Sequence, residues 1–134
     1  MFGGYHRRTI PIVFTPPAAD TRVPLLVVPT GHTYTIEGWE IISDVDISAS
    51  TANYVETALE NAGASGTAQT LMGGTAGGTP AWSKNVSKAG TITAGAGDLT
   101  EGQYLNLKYD ITGTPTVGRF TLLLQVVDGI GAKA

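Results

Sequence analysis

Two histidines are the first residues in this sequence with catalytic or metal-binding potential, and they lie far apart. His6 and His32 are separated by 26 positions, and the chain contains no cysteine. A structural zinc site needs four Cys or His ligands, usually in closely spaced pairs, so we predict no zinc site. No Gly-x-Ser-x-Gly sequence marks a nucleophile, and His32 falls beside a turn, where a histidine is more often a polar surface residue. The sequence therefore does not predict an enzyme.

The acidic segment at residues 44–48 is an incomplete match to a calcium-binding loop. Asp-Val-Asp-Ile-Ser begins like such a loop, but the sixth position is Ala49 instead of Gly and the twelfth is Val55 instead of Glu. The glycines of residues 73–78 are not followed by Gly-Lys-Ser/Thr, which a phosphate-binding loop needs. We predict solvated loops at both places, with neither a metal nor a cofactor.

Aromatic residues offer a second kind of chemistry, the stacking of sugar rings on an aromatic face. The candidates in or near predicted strands are Tyr34, Trp39, Tyr54, Trp82, Tyr104 and Tyr109. Packing in the core or on a sheet explains most of such a set. Tyr54 and Tyr104 occupy outward-facing positions of their predicted strands, so they and Trp82 are the possible ligand-facing aromatics. A carbohydrate-binding β-sandwich is therefore one alternative function.

The composition bounds the class of protein. At 134 residues the chain is long enough for one domain with a substantial core. Charged residues make up 14% of it, and the net charge is −3 with both signs scattered. Nucleic acid and anionic membranes select concentrated basic surfaces, so we predict neither as a partner. No apolar run reaches the roughly 18 residues of a membrane helix. A weakly charged exterior favours a protein that packs against partners or copies of itself.

The apolar pattern predicts short β-strands. Residues 23–28 and 34–42 flank a Pro-Thr-Gly turn, and the period of two slips at Gly38, which indicates either a bulge there or a sheet covered on both faces. Residues 103–111 and 117–127 alternate most clearly, with Leu105, Leu107, Phe120 and Leu122 among those facing the core.

The middle of the chain is less regular. Residues 53–61 fit either a strand or a capped helix, and the all-β context favours the strand. We predict a glycine-rich loop at residues 63–78 around one short strand at 68–72, a strand or strand edge at 80–86, and a short strand at 91–93. The predicted fold is an all-β antiparallel β-sandwich, jelly-roll-like or immunoglobulin-like, over residues 21–134.

Residues 1–20 are predicted to form an extended N-terminal arm. Residues 9–14 alternate and can add one edge strand, and Thr15-Pro16-Pro17 is a stiff extended segment. The arm either lies on the edge of its own sheet or reaches a neighbouring subunit. Its apolar and basic side chains are the predicted partner contacts: Phe2, Tyr5, Arg7, Arg8, Ile10, Ile12 and Phe14.

The order of several motifs resembles small virion proteins of tailed bacteriophages. Residues 28–36 (Val-Pro-Thr-Gly-His-Thr-Tyr-Thr-Ile) are similar to their opening turn and strand, and residues 49–55 (Ala-Ser-Thr-Ala-Asn-Tyr-Val) to the strand that follows. A Gly/Thr-rich middle, residues 101–107 (Glu-Gly-Gln-Tyr-Leu-Asn-Leu) and a closing apolar strand complete the pattern. It covers residues 25–127 and resembles capsid decoration, or cement, proteins with a jelly-roll sandwich. The arm lies outside it.

This resemblance implies a structural virion protein without enzymatic activity. Such a protein is made in the host cytoplasm and binds the outer surface of the major capsid protein, where it bridges neighbouring capsomers as a dimer or trimer. A tail- or fibre-associated module that contacts the host is the alternative within virions.

Overall fold

The computed structural model describes residues 5–74 and 76–130, which form ten strands. They are β1 (Tyr5–Phe14), β2 (Thr21–Val27), β3 (His32–Ser43), β4 (Tyr54–Gly63), β5 (Thr70–Leu71), β6 (Ala76–Gly78), β7 (Ser87–Ala89), β8 (Asp98–Leu99), β9 (Tyr104–Thr112) and β10 (Phe120–Ile130). The fold class is all-β, as predicted. Within these ranges no helix is long and apolar enough to cross a membrane.

The strands form two antiparallel sheets of five strands each. Sheet I has the order β1-β10-β3, and both β7 and β8 pair with β3. Sheet II has the order β2-β9-β4, and both β5 and β6 pair with β4. The first four strands alternate between the sheets, so the two layers enclose one core between them. The predicted antiparallel β-sandwich is therefore confirmed.

The alternating side chains of β9 and β10 supply much of this core. Leu105, Leu107 and Tyr109 of β9 and Phe120, Leu122, Leu124 and Val126 of β10 are buried. Burial of a large apolar side chain contributes about 1.5–3 kcal/mol, so these two strands are a major source of stability. The prediction from the period of two holds for both strands.

A β-bulge in β3 explains the change of parity at Gly38. Gln125 pairs with Gly38 but the next residue, Val126, pairs with Ile36, so Glu37 is the extra residue. The bulge lets Ile36 and Trp39 both point into the core, where both are buried. Of the two predicted explanations, the structure has the bulge.

The connecting segments confirm some predictions and correct others. The ambiguous residues 53–61 form a strand, β4, whose Val55, Thr57 and Leu59 are buried. The strand predicted at residues 68–72 contains only Thr70 and Leu71. Residues 80–86 contain no strand but only an isolated bridge between Trp82 and Ile47.

The strand predicted at residues 91–93 is wrong. The short strand lies four residues earlier, at Ser87–Ala89, where it pairs with residues 40–42 of β3. Pairing with β3 decides its position, because a three-residue strand has little preference of its own.

The first strand includes most of the predicted arm. β1 begins at Tyr5, four residues before the predicted edge strand, and pairs with β10 along its whole length. Residues 15–20 then cross to sheet II, where Oδ1 of Asp20 accepts a hydrogen bond from the backbone N–H of Ile111. Residues 5–14 are thus the edge strand of sheet I, which is the first of the two predicted positions for the arm.

Candidate docking surfaces

The solvent-facing side of sheet I, which we call face I, carries apolar side chains at one end. Pro11 and Val13 of β1 point outward there, because Ile10, Ile12 and Phe14 point into the core. Val13 is 59% exposed. Leu123 and Ile42, on β10 and β3, lie beside them on the same face and are half-buried. Single exposed apolar side chains are normal, but neighbouring ones that form a group are typical of protein contacts, so this end of face I suits contact with another protein.

The other end of face I is polar. Strand pairing places four side chains in one row across the sheet, in the order Arg7, Val127, Thr35 and Asp98. Arg7 is 73% exposed and its Nη2 lies 3.4 Å from Oε2 of Glu37, the bulged residue of β3. Asp98 is also exposed and accepts a hydrogen bond of 2.8 Å from the hydroxyl of Thr35. The row therefore has a positive end on β1 and a negative end on β8.

A pocket of about 150 Å³ opens near the positive end of this row. Arg7, Thr9, Glu37 and Gln125 are among its lining residues. It lies where the bulge projects Glu37 from the sheet and where Gly38, opposite Gln125, has no side chain. Its size suits a single side chain of a partner rather than a small-molecule substrate.

The solvent-facing side of sheet II, which we call face II, has its own exposed apolar group. Val27 of β2 and Tyr104 of β9 pair with each other and are 46% and 36% exposed. Leu71 of β5 is 50% exposed on the same face. The ring of Tyr104 lies close to Gly66 in the glycine-rich loop, so that loop borders this group.

Ion pairs occupy the centre of face II. Nε of Arg22 lies 2.8 Å from Oε1 of Glu60, reaching across β9, and Nζ of Lys108 lies 3.3 Å from Oδ2 of Asp110. Glu60 is buried despite its position on an outer face. The arginine and the carboxylate satisfy each other there, so this centre is a structural element beside the exposed apolar group.

The structure places the predicted arm residues in three different environments. Ile10, Ile12 and Phe14 pack against the core, and the ring of Phe14 stacks on Phe120 with a centroid distance of 5.6 Å. Arg7 belongs to face I. Phe2 and the side chain of Tyr5 lie outside the described residues. The three inward-facing residues are occupied within their own sandwich, and contact between the arm and a partner stays a prediction.

Arg8 belongs to a partly buried polar cluster that sequence reasoning missed. Its Nη2 lies 2.8 Å from Oδ2 of Asp128, a side chain that is 8% exposed. Nδ1 of His32 lies 2.7 Å from the other oxygen of the same carboxylate. The hydroxyl of Tyr34 lies 3.4 Å from the arginine. These residues are separated by up to 120 positions in sequence, and no local motif connects them.

The His32–Asp128 pair has the residue types of a catalytic dyad but not its setting. His32 lines neither the pocket on face I nor a second pocket of about 220 Å³ beside residues 46–53 and 115–116. Both carboxylate oxygens of Asp128 are engaged with basic side chains. The cluster therefore joins β1, β3 and β10 as a structural link, and it touches the pocket on face I only through Arg8.

The acidic segment at residues 44–48 organises loops. Oδ1 of Asp44 accepts a hydrogen bond from the backbone N–H of Arg119, and Oδ1 of Asp46 accepts one from the backbone N–H of Lys84. Among the described residues, no group of three His, Cys, Asp or Glu side chains is arranged to hold a metal ion.

The three candidate ligand-facing aromatics do not form one surface. Trp82 is 1% exposed, and its ring packs edge-to-face on Phe120 at 5.3 Å, so its prediction as a ligand-facing residue is wrong. Tyr54 lies opposite Thr112, at the far end of β9 from Tyr104. At about 3.4 Å per residue, the two tyrosines are about 27 Å apart on face II.

Tyr109 shows the electrostatic effect of the core. Burial raises the pKa of its phenol from 10.0 to about 12, because the charged form loses its hydration. Within the described residues its hydroxyl has no hydrogen-bond partner. It lies in the core and contributes packing, not surface chemistry.

No protein family, no curated protein and no solved structure matches this chain.

Proposed function

We propose that this protein is a non-enzymatic structural component of a bacteriophage capsid. It binds the outer surface of the major capsid protein and bridges neighbouring capsomers, stabilising the shell from the outside. It is made in the host cytoplasm and acts in the virion, together with other copies of itself.

One observation carries this proposal: exposed apolar groups lie on both opposite faces of the sandwich. Val13 is exposed on face I, and Val27, Tyr104 and Leu71 are exposed on face II. An enzyme or a monomeric binding module needs one concave site, whereas a protein that links two neighbours needs two separate attachment surfaces. Two opposed faces fit the second requirement.

The low charge of the chain agrees with this role. Only 14% of the residues are charged, against about 25% in a typical domain. Few charged groups therefore lose their hydration when a face docks, and the free-energy cost of desolvation is small. A capsid repeats the same site many times, and many modest contacts add up to firm attachment through avidity. The motif order that resembles decoration proteins is what points to a capsid in particular.

A carbohydrate-binding module is the second candidate, and the aromatic positions speak against it. A sugar-stacking site needs neighbouring exposed rings, but Trp82 is buried and Tyr54 and Tyr104 stand at opposite ends of face II. Attachment to a tail or fibre would use the same two faces, so an experiment has to separate it from capsid attachment.

Co-sedimentation with purified procapsids, and separately with purified tails, tests the proposal. We expect saturable binding to procapsids, and a loss of at least about tenfold in affinity for Tyr104→Asp, because a carboxylate on the apolar group of face II opposes docking. Tyr54→Asp is the matched control, since it changes a tyrosine at the far end of the same face. Binding to tails alone, or to glycans on an array with no binding to procapsids, would refute capsid decoration.

A further inference from the structure

We infer that face I binds the same face of a second copy of this chain, in a two-fold symmetric dimer. The inference deepens the proposed function by naming what occupies one of the two faces. The role of the dimer on a capsid rests on the proposed function. Face II, with Val27 and Tyr104, then remains available for the capsid.

The charged row of face I supports self-association. Arg7 and Asp98 lie at opposite ends of one row, three strand spacings or about 14 Å apart. The proposed two-fold axis lies in the interface, parallel to the strands and midway between β10 and β3. Rotation about this axis places the row of the second copy over that of the first in reverse order. Each copy's Arg7 then faces Asp98 of the other copy, so the same complementary pair forms twice.

The rest of the face is compatible with this axis. Gln125 of one copy comes over Gly38 of the other, which has no side chain to obstruct it. The half-buried Leu123 and Ile42 and the exposed Val13 supply apolar contact. Two groups are unfavourable: the axis places Glu40 near Leu123 of the second copy, and it brings the exposed carboxylate of Glu37 near that of Glu37 in the second copy.

The existing contacts of Arg7 and Asp98 do not prevent these pairs. The Arg7–Glu37 ion pair is exposed on both sides and has a separation of 3.4 Å, and such surface pairs contribute little. The hydrogen bond of Asp98 to Thr35 uses one carboxylate oxygen, Oδ1. Both side chains can therefore turn toward a second copy at small cost.

The size of face I sets the expected strength. Four strands and about seven residues cover roughly 19 by 24 Å, which is at the low end of specific protein interfaces. We expect a dimer that dissociates in the micromolar range or above, and that forms fully when copies are held side by side on a capsid lattice.

Sedimentation equilibrium between about 10 μM and about 1 mM tests the inference. We expect reversible dimerisation of the wild type. Arg7→Glu and Asp98→Arg should each weaken it at least about tenfold by opposing like charges, and the double variant should restore it because the pair re-forms with its charges exchanged. Lys84→Glu is the control, because it makes the same change of charge in a loop outside face I.

Several outcomes would overturn the inference. A wild type that is monomeric at about 1 mM, or a double variant that stays as weak as the single ones, excludes this dimer. Loss of procapsid binding in Arg7→Glu with no self-association in the wild type would show that the capsid occupies face I. Conversely, dimerisation without procapsid binding would uphold the dimer and refute the proposed function.

Discussion

The guanidinium of Arg8 lies 2.8 Å from the buried carboxylate of Asp128, although 120 positions separate the two residues in sequence. The contact joins β1, the edge of sheet I, to β10 at its centre. Because His32 binds the other oxygen of the same carboxylate, β3 is connected at the same point. One buried acidic side chain thus links three neighbouring strands.

Replacing Arg8 should weaken this link. In Arg8→Gln the carboxylate of Asp128 loses a charged partner while it stays buried, so we expect the free energy of unfolding to fall by about 1–3 kcal/mol. Amide protons of β1 should exchange faster. Arg7→Gln is the control and should cost less than about 0.5 kcal/mol, because its ion pair is exposed. Denaturant unfolding measures both, and equal effects would contradict this role of Asp128.

The raised pKa of Tyr109 predicts that the folded protein loses stability at alkaline pH. Its pKa is about 12 in the folded protein and 10.0 ordinarily, so the unfolded chain releases its proton first. Stability from this group is fully present below pH 10 and falls toward pH 12, by on the order of 2–3 kcal/mol.

Tyr109→Phe should remove the part of the fall in unfolding free energy at alkaline pH that comes from this phenol. It should also keep or slightly raise stability at pH 7, because the hydroxyl has no partner among the described residues. Tyr104→Phe, which alters an exposed ring, should keep the wild-type behaviour. Unfolding free energies measured from pH 7 to pH 12 decide this, and an unchanged slope in Tyr109→Phe would contradict the prediction.

Gly90 should not tolerate a side chain. A Cβ there would overlap the indole of Trp39, which is buried and donates a hydrogen bond of 3.2 Å to the carbonyl of Thr91. We expect Gly90→Ala to cost about 1–3 kcal/mol through overpacking. Gly38→Ala is the matched control, since its Cβ would make only an ordinary contact with Gln125. Thermal or denaturant unfolding that gave both variants the same stability would refute this difference.

Truncation at two points separates the edge strand from the residues before it. Deleting residues 1–14 removes β1 and uncovers Phe120, Leu122 and Leu124, so we expect a loss of several kcal/mol and an unfolded or aggregated chain. Deleting residues 1–4 removes Phe2 and keeps β1, so procapsid binding of that variant reports on the predicted arm contact. Circular dichroism measures the first effect, and a stable, folded chain without residues 1–14 would contradict the assignment of β1 to sheet I.

The long strands were predictable because their own side chains encode them. Leu105 and Leu107, or Leu122 and Leu124, alternate with polar or half-exposed residues, and this period of two is a local property. The slip at Gly38 likewise signalled the bulge. Short elements depend on partners, so the strand at Ser87–Ala89 was predicted at residues 91–93.

The candidate surfaces were less accessible to sequence reasoning. The row from Arg7 to Asp98 exists only through the register of four strands, and nothing within either strand reveals it. Trp82 was misassigned because its burial comes from Phe120 and the bridge to Ile47, both distant in sequence. The exposed side of Tyr104 was predicted correctly, because outward parity in β9 is local.

The central position of β10 in sheet I has a consequence for biosynthesis. This strand follows the other nine strands of the described residues, yet it lies between β1 and β3. During synthesis, β1 and β3 emerge from the ribosome before β10, the strand that pairs with both of them, has been made. The unpaired edges of β1 and β3 stay exposed, and can pair with nearby nascent chains, until residues 120–130 leave the exit tunnel and complete the sheet.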